Sequence, residues 1–100
     1  MKKISNTDFL EELYSIIKTR DQSKKKKSYT KLLLKGGKNI IAQKVSEESI
    51  ELIVDYLNGS KKRTIEEASD LIYHLLVLLY SKKITILDIK KELNKRKNVR

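Results

Sequence analysis

Residues 39–57 read NIIAQKVSEESIELIVDYL, residues 58–60 read NGS, and residues 61–81 read KKRTIEEASDLIYHLLVLLYS. Apolar side chains in both long stretches recur at three- and four-residue spacing, the signature of a helix with a buried face. Asn58-Gly59 is a strong stop for the first helix, and Ser60 can cap the second. Thr64-x-x-Glu67 also matches a capping box, which would start the second helix one turn later. So short a connection makes the two helices antiparallel neighbours. The expectation is a pair of long central helices, about Asn39 to Leu57 and about Lys61 to Ser81.

The acids in this pair are unusually placed. Lys44, Glu48, Glu51 and Asp55 follow i, i+4, i+7, i+11, a stripe about 60° wide at about 100° per residue. Ile41, Val45 and Leu52 flank it on one side, and Ile40, Ile50 and Val54 on the other. A solvated charged face would lie opposite the apolar face, not inside it. In the second helix Arg63, Glu67, Asp70 and His74 form a stripe of the same width, flanked by Leu71, Val77 and Leu78. Each helix thus presents an i, i+3 carboxylate pair: Glu48 with Glu51, and Glu67 with Asp70. Carboxylates drawn toward an apolar interior need cations. Four hard oxygen ligands, with no Cys and a single His, suit Mg²⁺, or Mn²⁺, better than Zn²⁺. Mg²⁺ shares its coordination sphere with substrate phosphates, so the expected substrate carries a polyphosphate.

Working outward, a first amphipathic helix is expected from about Thr7 to Lys18, with Asn6 or Thr7 as its cap. Asp21 to Ser28, including Lys24 to Lys27, reads as a solvated loop. A short helix follows at about Tyr29 to Leu34, ended by Gly36-Gly37. The last helix, about Ile86 to Arg96, opens with another capping-box spacing, Thr85-x-x-Asp88. No strand alternation and no internal repeat are present. The fold expectation is therefore all-α, one domain over residues 1–100.

The chain has 100 residues, 39% of them hydrophobic, and a formal net charge of +10. Seven of its 13 acids fall between Glu47 and Asp70, so the rest is strongly basic. Such a balance fits a polyanionic partner. Cys and Pro are absent. No disulfide framework is possible, and uninterrupted helices are favoured. No apolar leader follows Met1, and the run Leu75 to Tyr80 is too short to cross a bilayer. The expectation is a cytoplasmic protein without membrane attachment. Helices apolar around much of their circumference need more partners than one small chain offers, so a homodimer is expected.

Lys44-Val45-Ser46-Glu47-Glu48-Ser49-Ile50-Glu51, followed by Glu67-Ala68-Ser69-Asp70, resembles the EExxE…ExxD signature of the all-α, MazG-like nucleotide pyrophosphohydrolases. Ser28-Tyr29-Thr30, Lys35-Gly36, Asn58-Gly59 and Asp70-Leu71-Ile72-Tyr73-His74-Leu75-Leu76-Val77 narrow the resemblance. Together they are similar to the phosphoribosyl-ATP pyrophosphohydrolases of histidine biosynthesis, over roughly Tyr14 to Lys95. Ser46 stands where that family usually has Gly, and four lysines replace a Pro-Glu-Gly-like run. The resemblance implies Mg²⁺-dependent hydrolysis of phosphoribosyl-ATP to phosphoribosyl-AMP and pyrophosphate. Metal would be held by Glu48, Glu51, Glu67 and Asp70, with Glu47 and Glu48 as catalytic carboxylates. Lys44, Tyr29, Lys31, Lys38, Tyr73 and His74 are candidates for substrate contact.

Plainer readings stand beside these. One EExxE motif is common on solvated helices; two such pairs inside apolar flanks are not. Glu67 could serve only as a cap for Thr64, but that leaves Asp70 unexplained. Glu47 could pair with a lysine instead of accepting a proton. His74 could be structural, and Tyr29 and Tyr73 could be core residues with hydroxyls reaching a partner. The same carboxylates would serve a housecleaning nucleoside triphosphate pyrophosphohydrolase. A basic helical nucleic-acid-binding protein is the remaining alternative, disfavoured because the lysines are scattered and the central acids repel phosphates.

Overall fold

The computed structural model describes residues 8–24 and 28–97, and all of its regular structure is helical. Five helices follow in order: α1 Phe9–Gln22, α2 Tyr29–Gly36, α3 Lys38–Asn58, α4 Lys61–Ser81 and α5 Ile86–Arg96. The expected all-α bundle is what forms. Asn6, Thr7 and Lys25 to Lys27, which carried expectations for a cap and a loop, lie outside the described residues.

Among the described residues, α3 and α4 make the most extensive helix–helix interface. They run antiparallel: Asp55 near the end of α3 meets Arg63 near the start of α4, while Glu48 meets Asp70 further along. Ser60 caps α4 by accepting the Arg63 N–H at 3.1 Å. The alternative box on Thr64 does not form, because the Thr64 hydroxyl turns back to the carbonyls of Ser60 and Asp55. Glu67 is thereby left to the interior. At α5 the capping box does form, with Thr85 and Asp88 exchanging backbone-to-side-chain bonds at 2.9 and 3.1 Å.

α1 lies on α4 and touches α2 and α5, and α2 bridges α1, α3 and α4. The core is Ile17 of α1, Leu33 of α2, Ile41 of α3, Leu76 and Val77 of α4 and Ile86 of α5. Ile17 and Val77 are fully buried, each contributing about 1.5–3 kcal/mol of apolar transfer. α1 runs four residues beyond the expected Lys18. The physical reason sits 59 positions away: the Tyr80 hydroxyl donates to Asp21 at 2.5 Å and holds the last turn in place. Gly37, at φ 87°, joins α2 to α3 in a conformation that favours glycine, and its N–H closes α2 on the Leu34 carbonyl.

The apolar flanks of the α3 stripe have different fates. Ile41 is buried and Val45 and Leu52 are half-buried, whereas Ile40, Ile50 and Val54 are exposed. One flank is therefore covered, with Ile41 in the core, and the other lies open in a single chain. Among the described residues, no helix is long and apolar enough to cross a membrane.

Candidate metal and nucleotide site

The antiparallel pairing of α3 with α4 brings the two acid stripes face to face. Carboxylate oxygens of Glu48, Glu67 and Asp70 lie within 4.8 Å of one another. Glu48 and Glu67 are buried, and Asp70 is exposed. Oε1 of Glu67 is buried with no hydrogen-bond partner. A buried carboxylate oxygen left bare is costly unless a cation meets it. Glu51 is exposed and outside this trio. It is close enough to act on Glu67: burial first, and then Glu51, push the Glu67 carboxyl above the usual range, while Arg63 pulls it down. A divalent cation among these oxygens would remove the repulsion.

Two cations flank the nest. Lys44 lies 3.6 Å from Glu47 and 3.7 Å from Glu48. The Tyr29 hydroxyl, then the two glutamates, raise its pKa against the opposing effect of burial. At the other end Arg63 lies 2.9 Å from Glu67, 2.9 Å from Glu66 and 3.7 Å from Asp55. Arg63 belongs to the predicted stripe, yet sequence reasoning assigned it no part in the site. Its position four residues before Glu67, on the same face, was the available signal.

The aromatic candidates meet beside the nest. The Tyr29 hydroxyl bonds Nε2 of His74 at 2.6 Å, and Nδ1 of His74 bonds the Asp70 carbonyl at 2.7 Å. Tyr29 and Tyr73 stack with centroids 6.3 Å apart and rings 23° from parallel. The Tyr73 hydroxyl bonds that of Thr30, a fully buried residue the sequence reading did not single out. Burial pushes the Tyr29 hydroxyl's pKa up, Lys44 opposes this, and Glu48, Tyr73 and Asp70 reinforce it. Those effects place Tyr29 within the field of the site.

Other candidates are placed elsewhere. Glu47 is exposed, paired with Lys44 and accepting from Gln43 at 3.1 Å. The Lys31 ammonium donates to the Ser23 carbonyl. Lys38 lines a cavity with Leu34, Ile41, Leu78 and Lys82, about 15 Å along the axis of α3 from Glu48.

Comparison with known proteins decides the family. The family model for phosphoribosyl-ATP pyrophosphohydrolase matches residues 10–97, nearly the whole chain. The chain belongs to the phosphoribosyl-ATP pyrophosphohydrolase family. A phosphoribosyl-ATP pyrophosphatase of Sulfolobus acidocaldarius is 51% identical over 87 residues, covering 87% of this chain and 92% of the relative. One from Clostridium novyi is 44% identical over 94 residues, covering 94% of this chain and 86% of the relative. A histidine biosynthesis bifunctional protein of Bacteroides thetaiotaomicron is 44% identical over 88 residues, 43% of its length. Of the acids with the EExxE and ExxD spacing, Glu48, Glu67 and Asp70 make the nest, Glu51 acts on Glu67 from beside it, and Glu47 is exposed and paired with Lys44.

Proposed function

We infer that this chain hydrolyses phosphoribosyl-ATP to phosphoribosyl-AMP and pyrophosphate in histidine biosynthesis. The observation that carries the reading is the nest of Glu48, Glu67 and Asp70, with its bare buried oxygen. Membership of a family whose relatives are named for this activity supplies the substrate. The donor set fits Mg²⁺ first and Mn²⁺ second: oxygen only, no sulfur, and more negative charge than Lys44 and Arg63 balance. Glu48, Glu51, Glu67 and Asp70 would hold the ion. When bound, it supplies positive charge at phosphate oxygens and makes nearby water more acidic.

The chain's own residues do the remainder. Of the two catalytic candidates on α3, Glu48 lines the nest and Glu47 lies outside it beside Lys44; in this reading Glu48 takes the proton of the attacking water. The anhydride bond between the α- and β-phosphates breaks, and pyrophosphate leaves. Lys44 presents its ammonium to a phosphate as the charge migrates to the leaving group. Tyr29 and Tyr73 offer a stacked aromatic edge to the nucleotide. The basic surface raises the encounter rate with so anionic a substrate.

The functional unit in this reading is a homodimer. Ile50, Ile53, Val54 and Leu57 form one stripe on α3, each more than half exposed. That stripe faces away from the carboxylates, and a second copy would cover it.

Pyrophosphate release with Mg²⁺, from phosphoribosyl-ATP beside a panel of ribo- and deoxyribonucleoside triphosphates, tests the function. Preference for phosphoribosyl-ATP is expected. Preference for ordinary triphosphates would move the function to housecleaning hydrolysis, and release from none would sink the enzymatic reading.

A further inference from the structure

Three carboxylates from two helices converge on one guanidinium at the turn end of the nest. Nη2 of Arg63 lies 2.9 Å from Oε2 of Glu67 and 3.7 Å from Oδ2 of Asp55, and Nη1 lies 2.9 Å from Oε1 of Glu66. Glu66 is exposed and Asp55 half-buried, but the Glu67 side chain is only 6% exposed. Its two oxygens differ. Oε2 is held by Arg63, while Oε1 is buried and has no partner. One buried carboxylate therefore has a resident cation on one oxygen and room for a second cation on the other.

We propose that Arg63 is the resident countercation of the nest: it stabilises the metal-free protein and, by opposing an incoming divalent ion, holds metal affinity down. The inference rests on the reading of Glu48, Glu67 and Asp70 as a divalent-cation site. A guanidinium keeps its charge at any working pH, so Arg63 cannot step aside by losing a proton. Sharing Glu67, the guanidinium and the ion repel one another. Without Arg63, Glu67 has neither oxygen paired, and the empty protein is destabilised. An incoming ion then meets one more uncompensated negative charge and binds more tightly. A clamp that merely aimed Glu67 at the metal would act oppositely, since its removal would weaken binding. The Arg63 side chain is 54% exposed, so water screens the effect and keeps it modest.

The test titrates Mn²⁺ alone into the full-length, metal-free protein, reading free Mn²⁺ by electron paramagnetic resonance. Thermal melts are recorded with and without the ion. Arg63→Gln is expected to bind Mn²⁺ about two- to fivefold more tightly, the range of a solvent-screened charge pair. It should melt lower without metal, and the deficit should shrink as Mn²⁺ saturates. Arg63→Lys keeps the charge and should stay near the parent protein in both. Weaker or unchanged Mn²⁺ binding in Arg63→Gln overturns the proposal. Should that variant be unfolded without metal, refolding by Mn²⁺ supports the proposal and failure to refold overturns it. Mn²⁺ binding without pyrophosphate release would sink the functional reading and leave this one. Full turnover with unchanged affinity in Arg63→Gln would sink this one alone.

Discussion

The Tyr29 hydroxyl and Nε2 of His74 lie 2.6 Å apart, joining residues 45 positions apart in the chain. The second ring nitrogen decides the direction of that bond. Nδ1 meets the Asp70 carbonyl at 2.7 Å, and a carbonyl only accepts, so Nδ1 carries the proton. In the neutral imidazole Nε2 is then the acceptor and Tyr29 the donor. His74 has both nitrogens occupied within the protein and is buried. His74 thereby ties Tyr29 to α4 beside Asp70.

Tyr29→Phe removes that donor while leaving the ring stacked on Tyr73. One hydrogen bond of about 0.5–1.5 kcal/mol is lost, and half-exposed Tyr29 lets water serve His74 instead. The expected kinetic result is a rise in KM for phosphoribosyl-ATP of about two- to tenfold with little change in kcat, because the bond orders a binding wall. Steady-state kinetics with thermal melts on the same samples checks this. A fall in kcat at constant KM would place Tyr29 in the chemistry instead.

Glu48→Gln and Asp70→Asn each remove one negative charge from the nest with almost no change of shape. Both are expected to abolish pyrophosphate release and to keep the helical circular dichroism of the parent chain. Neither should melt lower, since each relieves repulsion among acids that the empty site leaves crowded. A chelator should silence the parent enzyme, and Mg²⁺ or Mn²⁺ should restore it. Saturating ion at about 100 times its Kd should stabilise the parent by about 2.7 kcal/mol and the two variants by much less. Turnover in either variant would remove that residue from the site.

Helical register carries over from sequence to structure, which is why both acid stripes were legible. Asp55 meets Arg63 and Glu48 meets Asp70 because two helices joined by Gly59 and Ser60 must run back along each other. Depth was not legible. Glu48 and Glu51 share a stripe, yet one is buried and the other exposed, because α1 and α2 cover only part of the α3–α4 face. Such coverage is a long-range outcome that periodicity does not encode. The end of α1 has the same character, resting on Asp21 and Tyr80. Lys31 and Lys38 are candidates for substrate contact in the sequence, and nothing in their local pattern says that one reaches the Ser23 carbonyl while the other lines a cavity beside Lys82. The choice of Ser60 over Thr64 as the α4 cap was open for a related reason, since both spacings satisfy the local rule.

Tyr80 gives a pH signature at the α1–α4 contact. Its bond to Asp21, and then burial, push its hydroxyl up to about 12, against about 10 in an unfolded chain. A raised folded value means the contribution is whole below pH of about 10, where both states keep the proton. As pH climbs from there, the unfolded chain ionises first and stability is lost. Lysines also titrate in this range, so the informative quantity is the difference between the parent chain and Tyr80→Phe. The urea midpoint difference should be flat up to a pH of about 10 and shrink above it. A difference that stays constant to the highest measurable pH would mean that Asp21 does not hold the Tyr80 proton.

The exposed stripe on α3 is the remaining structural debt of a single chain. Ile50, Ile53, Val54 and Leu57 are 52–67% exposed, and an apolar strip of this kind on one helix marks an association surface. A second copy placed across a two-fold axis would cover both stripes at once. An interface of ordinary size buries about 800 Å² per partner, more than the stripe alone supplies, so other exposed residues must join it. Sedimentation at micromolar concentration is expected to give a dimer. Ile53→Glu puts a charge in the middle of the stripe and should shift the protein to monomer while keeping its helical content, since Ile53 is not part of the core. Turnover then separates two possibilities: an inactive monomer means the partner completes the substrate site, and an active one confines the chemistry to Glu48, Glu67 and Asp70 of a single chain.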